Sequence, residues 1–219
     1  MDIGKAFTFV TEDEDWIVKL VIGGIIMLIP IINFAGFGYV AEVVRRVMND
    51  DPDVLPEWGE FGQFFADGLK IFVGFLIYSL PMLLVLCVFV AIGMATGALG
   101  DNMNSDAAGG ALTIVILGLQ CIMWVLALIP VLLAPAIFAR FAAEGTIGSM
   151  TRVGEVVGFA TANLGSYIVV LLIAGVAMSV IAPLGVIACV VGVIFTGWWS
   201  YLVFAHLTGQ LARQNSMLV

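Results

Sequence analysis

Side chains able to serve as nucleophiles, proton carriers or metal ligands are few in this chain and far apart. His206 is the single histidine, and no serine, cysteine or second histidine stands at a catalytic or ligating distance along the sequence, so it reads as a solvated or interfacial residue. Cys87, Cys121 and Cys189 each lie inside an apolar run without a CxxC pair, which suits small hydrophobes in a packed interior better than a redox couple or a zinc set. No HExxH, EF-hand loop or phosphate-cradling glycine loop occurs. The residues therefore call for no metal, no cofactor and no enzymatic activity. Gly93-Met94-Ala95-Thr96-Gly97 fits the GxxxG helix-contact pattern, but a chain with 25 glycines meets that pattern by chance.

Charge has more of a pattern. The longest polar stretch runs from Arg45 to Lys70, RRVMNDDPDVLPEWGEFGQFFADGLK, between two apolar segments. From Pro56, a favoured first helical residue, Trp58, Phe61, Phe65 and Leu69 recur at helical spacing, with Glu60, Gln63, Asp67 and Lys70 on the opposite line. A second connector repeats the arrangement: Val153, Val157, Ala160 and Leu164 alternate with Arg152, Glu155 and Thr161. Helices of this kind can lie in the headgroup layer, with aromatic residues at the boundary and charges toward water. Arg45, Arg46, Trp58, Phe61, Phe65, Asp67, Lys70, Arg140, Arg152 and Glu155 are accordingly the candidate interfacial or partner-binding residues. The plainer alternative is that each connector packs against its own bundle.

The elements that position these residues must be membrane helices. With 62% hydrophobic and 11% charged residues, and a mean hydropathy of +1.15, the chain has more apolar surface than a soluble core can hide. In lipid every backbone group needs a partner inside its own segment, and the apolar runs are too long and continuous for barrel strands. The runs predict an all-α integral membrane protein of about five crossings in one domain, residues 1–219. They begin with a first helix from Trp16 to Met48 interrupted by Pro30, followed by crossings near 69–96, 111–141, 164–181 and 184–207. Pro81 falls inside the second run, and Pro130 and Pro135 predict kinks in the third.

Arg45, Arg46, Lys70, Arg140, Arg152 and Arg213 flank the connectors and the C-terminal tail, which puts these inside by the positive-inside rule. The loop bearing Asp101 and Asp106 then lies outside, as does an N-terminus five crossings away. If the first run were instead a re-entrant hairpin broken at Pro30, the N-terminus would be inside. The run of acids Glu12 to Asp15 stands where a secretion signal needs basic residues, so no cleavage is expected. A net charge of -8 excludes nucleic-acid binding as a role and leaves membrane lipids as the expected partner, with a homo-oligomer or another membrane protein allowed.

A shift of 95 residues superposes Arg45 on Arg140, Gly59 on Gly154, Glu60 on Glu155, Phe64 on Phe159 and Leu69 on Leu164 without a gap. It suggests parallel repeat units over 16–96 and 111–181, with the helix 184–207 left over. The order Asp15-Trp16, Gly23-Gly24, Pro30, Gly38-Tyr39, Arg45, Leu55-Pro56-Glu57-Trp58, Asp67-Gly68-Leu69-Lys70 and Tyr78-Ser79-Leu80-Pro81, ending in His206-Leu207-Thr208-Gly209-Gln210, resembles the prokaryotic membrane family named domain of unknown function 4013. The resemblance implies a multi-pass helical protein of a bacterial or archaeal cytoplasmic membrane and brings no activity with it.

The helix centres carry only Gln120 and the interfacial Lys19, which argues against a proton-coupled pump or an ion channel with a charged filter. The expected role is a non-enzymatic scaffold or lipid-interacting module. The alternative is an uncoupled carrier of small solutes or lipids that uses its proline breaks.

Overall fold

The computed structural model describes residues 1–99, 106–188 and 191–215, and among them every regular element is helical, with no strand. Short α1 (Ile3–Thr8) is capped by Asp2, whose carboxylate accepts the Lys5 amide at 2.9 Å. After one 3-10 turn, α2 (Trp16–Leu28) starts behind the acidic run and ends before Pro30, which has no N–H to continue the ladder. The chain reverses through Ile31 at φ 75, a left-handed conformation rare for a β-branched residue, and enters α3 (Phe34–Met48). Arg45 and Arg46 in its last turn complement the helix dipole.

A 3-10 turn at Trp58–Glu60 opens α4 (Phe61–Leu99), and α5 (Asp106–Glu144) ends at Gly145, whose φ of 67 needs no Cβ. Then follow α6 (Ile147–Thr151), α7 (Val153–Ala162), and α8 (Leu164–Val176) extended by a π turn into α9 (Ala182–Leu184). The last helix is α10 (Val191–Gln214). The expected loop at Asp101 and Cys189 itself lie outside the described residues.

Among the described residues three stretches are long and apolar enough to cross a membrane: Trp58–Ala95, Leu112–Glu144 and Leu164–Leu184. At 39 residues each, α4 and α5 run about 58 Å, nearly twice a hydrocarbon core of roughly 30 Å. Helix α4 runs on through Pro81, and α5 through Pro130 and Pro135.

The chain divides into two compact units, Met1–Gly74 with Leu133–Val219, and Phe75–Leu132. In the second, the outward side chains are almost wholly apolar, from Leu76, Leu80 and Leu84 on α4 to Ile114, Trp124 and Leu128 on α5. Asp101 and Asp106 are its only charged residues by sequence.

The first unit is built around α10. Helix α3 runs parallel to it, since Gly36 faces Trp198, Phe37 meets Tyr201, and Gly209 faces Val44 and Val47. Helix α2 runs antiparallel, with Gly23 against Trp198 and Gly24 against Ile194. Helix α8 is antiparallel as well: Asn163 bonds Asn215 at one end and Ala182 accepts from Thr196 at the other. The first apolar run is therefore two antiparallel helices rather than one. Helices α2 and α3 form a hairpin whose two feet share one face with the C-terminal end of α10, because Pro30 and the left-handed Ile31 turn the chain back on itself.

The close approaches explain the paired glycines. A Cβ on Gly23 would collide with the Trp198 ring, and one on Gly38 or Gly68 would collide with the backbone of Phe64 or Phe34. These contacts let α4 cross α3 at backbone distance.

Candidate functional site

The four residues of Leu55-Pro56-Glu57-Trp58 all close onto the hairpin. The Leu55 carbonyl accepts from Lys19 Nζ at 3.2 Å, and the Glu57 carboxylate pairs with the same ammonium at 2.7 Å. The Pro56 carbonyl accepts from Tyr39 Oη at 2.9 Å. Trp58 donates through Nε1 to the Lys19 carbonyl at 3.3 Å, and its ring stacks on Tyr39 with centroids 4.3 Å apart. Asp13 completes the shell around Lys19 at 2.7 Å. The motif is thus a buckle. It ties one foot of α2 (Lys19) to the middle of α3 (Tyr39) through the loop that leads to α4.

Behind the buckle lies an aromatic core. Tyr39 and Trp198 are buried, Trp58 is half-buried, and Phe64 meets both Tyr39 and Trp58 edge-on. Trp58 thus packs inward, against the hairpin. Its spacing with Phe61 and Phe65 suggested an outward stripe, but the 3-10 turn before α4 swings it inward onto Tyr39.

In front of the buckle opens an acidic cavity of about 870 Å³, walled by the run Glu12 to Asp15 and by Asp50, Asp51, Asp53 and Glu60, with Lys19 and Glu57 among its lining residues. A smaller cavity of about 270 Å³ adjoins buried His206 and Gln210. There the Gln210 amide bonds Asp2 at 2.6 and 2.9 Å and His206 Nδ1 at 2.9 Å, while Phe9 stacks on the imidazole at 4.5 Å. Arg213 pairs with Asp50, so the N-terminus, the loop after α3 and the end of α10 form one face.

The second connector makes a closed ring of charges. Arg140 bonds Glu144 at 2.7 Å and also Glu155, while Arg152 bonds both Glu155, at 3.2 Å, and Glu144. Three of the residues singled out by sequence, Arg140, Arg152 and Glu155, are thus brought together, with Glu144 as the fourth. Beyond them α7 buries Val156 and Phe159 and leaves Val153 and Val157 outward, and Leu164 is outward at the start of α8.

Elsewhere the candidates disperse. Arg45 pairs with Glu42 and donates to the Ala142 carbonyl at 3.0 Å, and Arg46 pairs with Glu42 at 3.2 Å and donates to the Asp53 carbonyl at 2.8 Å. Phe61 is exposed and Phe65 half-buried against Phe34. Asp67, expected on the water side, is buried and pairs with Lys70 at 2.8 Å, while the Lys70 ammonium sits 5.9 Å from the centre of the Phe141 ring. The first connector is not a separate helix either, because α4 runs unbroken from Phe61.

Sequence reasoning missed Lys19, Tyr39, Asp13, Glu42 and Glu144 as members of these clusters. The available signal was Lys19, a cation inside an apolar run that needs a carboxylate nearby.

Helices throughout the described residues, three of them with the length and composition of membrane crossings, are consistent with the class of helical integral membrane proteins. Residues 22–205 match the model of the family described as Protein of unknown function (DUF4013), and the chain belongs to that family. The matched stretch includes the buckle motif but begins after Lys19 and ends before His206. No curated protein and no solved structure matches the chain.

Proposed function

We propose that the chain is a non-enzymatic, lipid-embedded scaffold of the prokaryotic cytoplasmic membrane, anchored by its outward apolar faces and held in shape by the buckle. One observation carries this reading. The most distinctive motif and nearly all the candidate cations are engaged by the chain's own side chains and carbonyls, while the surfaces left outward are apolar: Phe61 and Leu69 on α4, Val153, Val157 and Leu164 along α7 and α8. Groups that bind or turn over a substrate are left open to it; here they are occupied.

The topology follows from the shared feet. Helices α2 and α3 enter from the charged face and return to it, α4, α5 and α8 cross, and α10 retraces α8, giving four crossings and a re-entrant hairpin with both termini cytoplasmic. The 24 residues of α10 reach about 36 Å, enough for a return crossing. Similar burial of Phe64 and Phe159, and similar exposure of Leu69 and Leu164, supports a parallel repeat of the connectors. The partners are lipids, and a second copy or another membrane protein would dock on the same apolar faces.

Transport is the second reading, favoured by the proline-broken pair α2 and α3, since broken helices line sites in many carriers. Against it, Tyr39, Trp58 and Trp198 fill the space between that pair and α10.

Solute flux and lipid contact decide between the two. Proteoliposomes of the full chain should take up no solute faster than protein-free vesicles, and a nitroxide on Val157→Cys should contact lipid. Saturable uptake would overturn the scaffold reading.

A further inference from the structure

We infer that the α2–α3 hairpin is a short wedge that thins the bilayer around it, with its flanks among acyl chains and its tip at the aqueous surface of the far leaflet. The inference rests on the lipid-embedded reading above. Helices of 13 and 15 residues reach about 20 and 22 Å, whereas an unperturbed hydrocarbon core measures roughly 30 Å. Both feet are fixed at the charged face, α2 by Lys19 with Asp13 and Glu57, α3 by Arg46 with the Asp53 carbonyl. The hairpin cannot slide deeper without tearing these contacts.

Its flanks suit acyl chains: Ile17, Val18 and Ile25 are exposed along α2, as are Leu28, Ile29 and Ile31 at the tip. The tip backbone does not suit them. Pro30 has no N–H, and the amides of Ile31 and Ile32 make no hydrogen bond among the described residues, while those of Asn33, Phe34, Ala35 and Gly36 are all paired. An open turn with two unpaired donors is not tolerated in hydrocarbon. A bilayer, by contrast, thins around a short insert at a modest cost per ångström shared among many lipids. The membrane therefore yields to the tip, and water reaches Ile31.

The test uses the full chain with Cys87, Cys121 and Cys189 replaced by alanine, spin-labelled singly at Ile25→Cys, Ile29→Cys or Ile31→Cys and reconstituted in dioleoylphosphatidylcholine vesicles. Collision with a water-soluble nickel chelate and with oxygen is read for each label. The inference predicts an oxygen-dominated Ile25 and a nickel accessibility at Ile31 several-fold higher. Ile29, on the same turn, repeats the measurement if the Ile31 variant fails to fold. A tip as oxygen-dominated as Ile25 would refute the wedge and leave the lipid-embedded reading standing. A nickel-accessible Ile25 would remove the hairpin from lipid and take both down.

Discussion

Lys19 is the residue on which the buckle turns. It is almost fully buried, and its two carboxylate partners differ: Asp13 is largely covered, whereas Glu57 is mostly exposed. Exposed ion pairs contribute at most about 1 kcal/mol, but a buried charge left without any partner costs roughly 3 to 5 kcal/mol. Glu57→Gln should therefore lower the stability of the full chain in detergent by less than about 1 kcal/mol. Asp13→Asn combined with Glu57→Gln should cost about 3 kcal/mol, read as a loss of thermal midpoint, because no carboxylate then balances the buried ammonium. The glycines give a second contrast. Gly38→Ala drives a methyl into the Phe64 backbone and should destabilise by at least about 1 to 3 kcal/mol. Gly62→Ala meets open space in the first turn of α4 and should be neutral or stabilise by about 0.5 to 1 kcal/mol. Equal effects of the two substitutions would remove the close crossing of α3 and α4 from the account.

At the scale of elements, α7 is held to the end of α5 by the four-residue ring of charges. Arg140 is its buried member, with a side chain 9% exposed, while the other three are a third to a half exposed. Arg152→Gln should thus change stability by less than about 1 kcal/mol. Glu144→Gln with Glu155→Gln, which strands Arg140, should cost about 3 kcal/mol and speed amide exchange through Val153–Ala162. Unchanged exchange in α7 would mean that Val156 and Phe159 hold it without the ring.

The sequence made some of this visible. Continuous apolar runs revealed the helical class and the long helices, and residue order revealed the family. It offered a hairpin at Pro30 only as the alternative to a crossing, and could not decide between them or show that α4 and α5 run on through Pro81, Pro130 and Pro135, since a proline is absorbed or not according to what surrounds the freed carbonyl. Helical spacing likewise marked Trp58, Phe61 and Phe65 as one stripe, and the 3-10 turn at Trp58–Glu60 breaks that phase before α4 begins. The sequence marked Arg140, Arg152 and Glu155 only as interfacial candidates; they meet because charges three to fifteen residues apart around a short turn come together readily. Lys19 and Glu57, 38 positions apart, meet only through the tertiary fold.

For the whole molecule, apart from Asp101 and Asp106 every charged residue belongs to the unit formed by Met1–Gly74 and Leu133–Val219. The contacts from Asp2 to Gln210, from Arg213 to Asp50 and from Lys19 to Glu57 gather the N-terminus, the buckle and the end of α10 on one face. An odd number of crossings would separate the termini; the proposed re-entrant hairpin plus four crossings would keep them together. Impermeant maleimide labelling of the exposed positions Glu14→Cys and Gln214→Cys, in a background lacking the native cysteines, tests this directly in right-side-out and inverted membrane vesicles. Both positions should react only in inverted vesicles. Reaction of Glu14→Cys in right-side-out vesicles, with Gln214→Cys reacting only in inverted ones, would make the first apolar run a true crossing and contradict the hairpin.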